Sequence, residues 1–366
     1  MNLRDSDQKF GTSKLFVYTY CSTITLGVIL LPYVGSEEIR SAWLKVILSV
    51  IPYLILLGLF HLTLKKQERG DLIEVFREKT LAIIHIPVIL YLFISAVATC
   101  RWGIETLLII VNSYLLTNTS AWIIVGYFLF IIFFSIIYGI EAIAKFLVTL
   151  FIMDIVIFIT VIFLFFTEDF KWIYIPPVLS VDTMTFLKSS ISDMSRYAGV
   201  VALLGFFPYM KNDVPFLKVS TISLLFVMIT FSMVAIVVLG TFGFDQALTL
   251  LSPLTTLIQS VTKGTGIFER LDLIFLTIWL VSFYKISVIQ IWFTSFLLKK
   301  LIPPLKKTDI MTKLLVVVSL FFLVILTPGY VNLDLTLQNM NLILYSFLVP
   351  SILGIFLIAS KRGESQ

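Results

Sequence analysis

The sequence predicts an all-α integral membrane protein with ten transmembrane helices. Three observations carry that prediction. Of the 366 residues, 59% are hydrophobic and only 13% charged, with a mean hydropathy of +1.03; a soluble domain carries about twice that charge. The apolar residues gather in ten runs, each near the roughly 20 residues a helix needs to cross hydrocarbon. The first and sixth runs are both interrupted by glycine and proline. Paired interruptions in matching places of two chain halves point to a midplane binding site of the inverted-repeat transporter type.

The elements follow in order. Met1 to Lys14 is polar and leads into a long apolar run without a small-residue cleavage site, so it reads as the start of a retained span. The ten runs lie at about 14–35, 42–64, 83–112, 121–140, 145–166, 191–210, 215–241, 269–298, 312–328 and 341–360. The third and eighth are long enough to tilt or to project beyond the lipid. The larger gaps, 65–82, 167–190 and 242–268, leave no room for a soluble domain.

In the first run, Thr23 to Pro32, Gly27 lowers helix propensity and Pro32 has no N–H for the carbonyl of Val28. In the sixth, the stretch is Tyr197-Ala198-Gly199-Val200, ending at Pro208. Backbone freed at membrane depth is tolerated only where protein buries it or a cavity takes it up. Thr23, Thr25, Gly27 and Val28 are therefore expected to face Tyr197, Ala198, Gly199 and Val200 across a shared central cavity. The alternative is a pair of ordinary kinks, since both breakers are common in spanning helices.

Two short helices are predicted outside the spans. Asp71–Thr80 sets apolar residues 72, 73, 75 and 76 among charges, as a surface amphipathic helix does. Ser252–Val261 opens with a Ser cap and Pro253 at the first helical position, and a helix there could lid a cavity. Lys and Arg set the orientation: 18 fall on one set of ends and loops and 5 on the other, which places both termini in the cytoplasm. The net charge of +5 is thereby explained by topology, with no nucleic-acid partner implied.

Ionisable residues inside spans are candidate functional groups, because an unpaired charge in lipid is costly. Arg101 and Glu105 stand one turn apart in span 3 and can pair. Asp154 lies mid-span in span 5 and Lys285 in span 8, candidates for an interhelical pair, for ion coupling or for gating. Arg196 and Glu141, near span ends, are expected near water. Cys21 and Cys100 build no disulfide framework or metal spacing. His61 and His85 lack partnering ligands, and no phosphate loop of the Walker type occurs, so no cofactor, metal or enzymatic reaction is predicted.

Several stretches resemble one family, the membrane-embedded B subunits of spore nutrient germinant receptors, within the amino acid–polyamine–organocation transporter superfamily. They are Thr25-Leu26-Gly27-Val28-Ile29-Leu30-Leu31-Pro32, Ala42-Trp43 opening span 2, and Glu269-Arg270-Leu271-Asp272 with Trp279 seven residues on. The Pro-Tyr after span 6 and the Val-Pro with a basic tail at the C-terminus agree. Three positions depart: Ile29 stands where the family has a second Gly, Tyr33 replaces a basic residue, and Gly199-Val200-Val201 lacks the acid of the family's Gly-aromatic-Glu. A pocket more apolar than in acid-bearing relatives is expected.

The resemblance implies one transmembrane domain over residues 1–366 with a LeuT-like 5+5 inverted repeat, about 14–166 and 191–360, and broken helices 1 and 6. It implies a sensor of a small nutrient, an amino acid by expectation, with an A subunit and a C lipoprotein subunit as partners in the spore inner membrane. Freed amides near Gly27 and Gly199 would then take the nutrient's carboxylate and freed carbonyls its ammonium. Span 3 and span 8 side chains, Arg101, Glu105 and Ser282 among them, would shape the pocket. The competing expectation is an autonomous proton- or sodium-coupled amino acid permease.

Overall fold

The computed structural model describes residues 10–24, 39–67, 70–177, 180–211, 213–250, 252–262, 271–327, 329 and 335–360. Every regular element among them is helical. Seven helices are long and apolar enough to cross a membrane. These coincide with seven of the ten predicted runs; the first, fourth and sixth do not reach that length among the described residues.

The chain begins with α1 (Thr12–Thr23), whose last turn closes where Ile24 donates to the Tyr20 carbonyl and turns to extended backbone. The expected break around Thr25, Gly27, Val28 and Pro32 lies outside the described residues. Next, α2 (Ala42–Gln67) runs through Pro52. The predicted amphipathic helix follows as α3 (Leu72–Lys79). Asp71 caps it by accepting from the Glu74 N–H at 3.0 Å, and Leu72, Ile73, Val75 and Phe76 are buried.

The helix α4 (Ala82–Tyr114) has 33 residues, about 50 Å of rise, more than the hydrocarbon thickness. The shorter α5 (Ala121–Ile137) meets α6 (Gly139–Leu164) at a tight turn where Gly139 takes φ +82°. That turn corrects the expected loop at 140–145. Glu141 and Lys145 pair one turn apart inside α6 instead of flanking it.

The gap at 167–190 is also corrected, since it holds the start of α7 (Thr183–Asp193). Its cap is Asp182, which accepts from the N–H groups of Met184 and Thr185. The chain then tightens into 3₁₀ geometry over Met194–Ala202, returns to α for Leu203–Phe206, and tightens again over Phe207–Tyr209. Beyond it come α8 (Phe216–Ala247), bent at Gly243, and the predicted outer helix as α9 (Pro253–Thr262). Two more spans, α10 (Leu271–Leu301) and α11 (Asp309–Leu326), lead to α12 (Leu335–Ile343). A π-helical turn over Leu344–Leu348 joins α12 to α13 (Val349–Ser360).

Helix α1 and the 194–209 stretch sit centrally. α1 packs on α6, α8, α10 and the 3₁₀ turns, while α2 packs on α8 and α13 and α10 packs on α4 and α6. Large apolar side chains such as Ile55, Tyr127, Phe163 and Ile352 point outward, the surface a lipid-facing bundle presents. Arg196, expected near water, is fully buried. Asp193 one turn back brings a carboxylate oxygen to 3.3 Å, so the charge enters the core already paired.

Candidate functional site

The interruption predicted in the sixth run packs against the end of α1. Gly199 presses against the α1 backbone so closely that a Cβ there would stand 1.6 Å from the Ser22 carbonyl oxygen and 3.2 Å from the Thr23 Cα. Only a residue without a side chain fits such an approach. The surrounding groups fix the register: Tyr18 donates to the Ala202 carbonyl at 3.2 Å, and Tyr197 donates to the Val46 carbonyl of α2 at 2.9 Å. Tyr197, Ala198, Gly199 and Val200 are all buried in the 3₁₀ turns. Thr23 is buried too, its hydroxyl bonded back to the Thr19 carbonyl at 2.7 Å.

Three helices meet at the charged centre. Lys285 of α10 donates to the Asp154 carboxylate of α6 and, at 3.1 Å, to the Leu150 carbonyl. Ser282, one turn before the lysine, donates to the other Asp154 oxygen at 2.5 Å. The Cys21 thiol of α1 approaches the carboxylate at 3.8 Å. Both charged side chains are 1% exposed. Lys285 therefore does not snorkel to the interface; its charge is neutralised in place. A small cleft adjoins this centre, bounded by Tyr20, Ile24, Ile157, Trp279 and Phe283.

A second, larger cavity lies between the middles of α4 and α10. Cys100, Trp102, Gly103 and Ile104 face Phe283, Ile286, Ser287 and Gln290 across it. Its lining is mostly apolar with a few polar groups, the usual make-up of a small-molecule pocket. Phe283 borders both cavities, its ring stacked on Trp279 at 5.6 Å and on Phe128 at 5.7 Å.

Arg101 and Glu105 pair as their spacing predicts, at 3.2 Å, and the arginine also donates to the Thr327 carbonyl at the end of α11. Neither borders the α4–α10 cavity. Of the sequence-selected residues, Ser282, Asp154 and Lys285 are brought into one cluster, and Thr23 and Gly199 meet at another contact. Thr25, Gly27 and Val28 lie outside the described residues. Sequence reading missed Cys21, Phe283 and Gln290. For Gln290 a signal was present: Ser287, Gln290 and Thr294 form a polar row at helical spacing along α10.

Comparison with known proteins places the sequence among spore germination proteins. The family described as "Spore germination protein" matches residues 9–331. "Spore germination protein B2" of Bacillus subtilis (strain 168) is 23% identical over 279 residues, covering 76% of this chain and 75% of its own. With a family match over most of its length, and helices built to cross a membrane, the chain belongs to the spore germination protein family and is a multi-pass membrane protein.

Proposed function

We propose that this protein is the nutrient-sensing membrane subunit of a spore germinant receptor. It binds a small germinant, an amino acid, in the membrane interior and passes a conformational change to an A subunit and a C lipoprotein subunit. The reading takes the fold as a LeuT-like pair of five-helix repeats in the spore inner membrane, with both termini cytoplasmic. The Lys/Arg asymmetry supports that orientation.

The observation that carries the proposal is the placement of the α4–α10 cavity. It lies mid-helix in both walls, and through Ser282 and Lys285 α10 also holds Asp154 of α6, the carboxylate that Cys21 of α1 approaches. A ligand wedged between α4 and α10 acts on the equilibrium only through different affinity for the two arrangements of these helices. Equilibrium binding of the twenty amino acids to the purified protein tests it. Saturable binding without uptake in sealed vesicles supports a sensor, and absence of any binding refutes the amino-acid reading.

A second reading, an autonomous coupled amino acid permease, is favoured by one feature. The Asp154–Lys285 pair adjoins a cavity at the end of α1, where a proton or cation could enter a transport cycle. Uptake by the purified protein alone, driven by a pH or Na⁺ gradient, would establish that reading over the sensor.

A further inference from the structure

Within the α4–α10 cavity one polar atom stands out. Gln290 is 6% exposed, and its side-chain oxygen Oε1 is buried with no hydrogen-bond partner. The neighbouring polar groups are already engaged. Thr99 donates to the Ser95 carbonyl at 2.8 Å, Ser287 to the Phe283 carbonyl at 3.0 Å, and the Cys100 sulfur lies 3.6 Å from the Thr294 hydroxyl. Burying an acceptor without a donor is costly, and native proteins rarely leave one so. Gln290 lines a cavity otherwise walled by Trp102, Ile104, Phe283, Ile286 and Ile291, so a small turn of its carboxamide would bring the unpartnered oxygen to an entering ligand's donor.

We propose that Gln290 is the specificity-determining residue of this cavity, selecting ligands whose buried end is largely apolar but carries one hydrogen-bond donor. A hydroxyl or an amide N–H meets both conditions. A purely aliphatic or phenyl group fills the same space and leaves Oε1 unpaired. A site that hydrogen-bonds a ligand rejects the analogue lacking the donor far more strongly than an apolar pocket rejects a missing methylene. This inference rests on the amino-acid reading above and narrows it to side chains of the threonine, asparagine or tyrosine kind.

The test uses purified full-length protein, as wild type, Gln290→Met and Gln290→Leu, with two readouts. The first is binding of matched pairs that differ by one donor: threonine against valine, asparagine against leucine, tyrosine against phenylalanine. The wild type is expected to prefer the donor-bearing member of at least one pair by tenfold or more, and Gln290→Met to lose that preference while still binding the apolar member. Equal binding of both members by the wild type, or a preference that survives in Gln290→Met, overturns the proposal.

The second readout is thermal unfolding without ligand. Removing an unpaired buried acceptor should leave Gln290→Met at least as stable as the wild type, with Gln290→Leu as the check on side-chain shape. If no amino acid binds, the amino-acid reading fails, and this readout alone judges Gln290. Variants that both melt well below the wild type show a carboxamide already bonded inside the fold, and the proposal falls.

Discussion

Replacing Gly199 by alanine tests the contact on which the centre of the molecule is built. The added Cβ would meet the Ser22 oxygen at 1.6 Å, the Ser22 carbonyl carbon at 2.6 Å and the Thr23 Cα at 3.2 Å. All three are backbone atoms of a helix locked on its other sides by Tyr18, Tyr20 and Cys21, each buried. No side chain can swing away, so the two segments must separate by roughly 1.5 Å in a close-packed core. Overpacking of one methyl typically costs about 1–3 kcal/mol. With backbone on the receiving side, the upper end, about 3 kcal/mol, is the expected loss. The assay is thermal unfolding of the purified variant beside the nutrient response of spores carrying it. Gly126→Ala is the control, because its Cβ meets only the Phe321 ring at 3.6 Å and the helix gains from alanine. A Gly199→Ala protein as stable and as responsive as the control would show that α1 and the 3₁₀ turns do not meet this closely.

Other perturbations follow from the charged groups. Asp154→Asn and Lys285→Met should each cost about 3–5 kcal/mol by stranding a buried charge, whereas the double substitution should recover much of that loss; a denaturation series reads both, and strictly additive losses would argue against the pair. With the ammonium fixed beside the α1 core, nutrient response should be unchanged when choline replaces Na⁺ at constant ionic strength. A steep loss of apparent nutrient affinity contradicts that. Exchanging Arg101 and Glu105 should rescue more response than either single change, but incompletely, since a glutamate at 101 cannot donate to the Thr327 carbonyl. Lys300 binds Asp71 and, at 2.7 Å, Glu74, holding α3 against the end of α10. Lys300→Ala should therefore loosen Leu72–Lys79 by about 2 kcal/mol, seen as faster amide hydrogen exchange there than in α2.

The sequence reveals local relations far better than distant ones. The amphipathic α3 was legible because its apolar face and the charges around it lie within ten residues; its Asp71 cap emerged from the structure. Arg101 and Glu105 were legible because one helical turn fixes their common side. The Asp154–Lys285 pair was legible as one option among several, since an intramembrane charge needs a partner and few partners exist. Arg196 was misread because its burial comes from elements distant in the chain, which local spacing does not reveal. The stretch at 183–190 was read as a loop because its few apolar residues resemble no span, and its Asp182 cap was overlooked. Gln290 escaped because attention to charge passes over a neutral carboxamide, whose importance appears only once its missing partner and the neighbouring cavity are seen together. The tightening of residues 194–202 into 3₁₀ turns, where an opened backbone was expected, likewise depends on the Ser22 carbonyl that presses against Gly199.

The Phe283 ring is a common wall of two chambers, one beside the Asp154–Lys285 pair and one beside Gln290. A partition has no private side. A guest that pushes the ring out of one chamber narrows the other, and a change in the ion pair that shifts α10 reshapes the space the guest must fill. Thermodynamic linkage makes this influence mutual: the factor by which the charged centre alters guest affinity equals the factor by which the guest alters the charged centre.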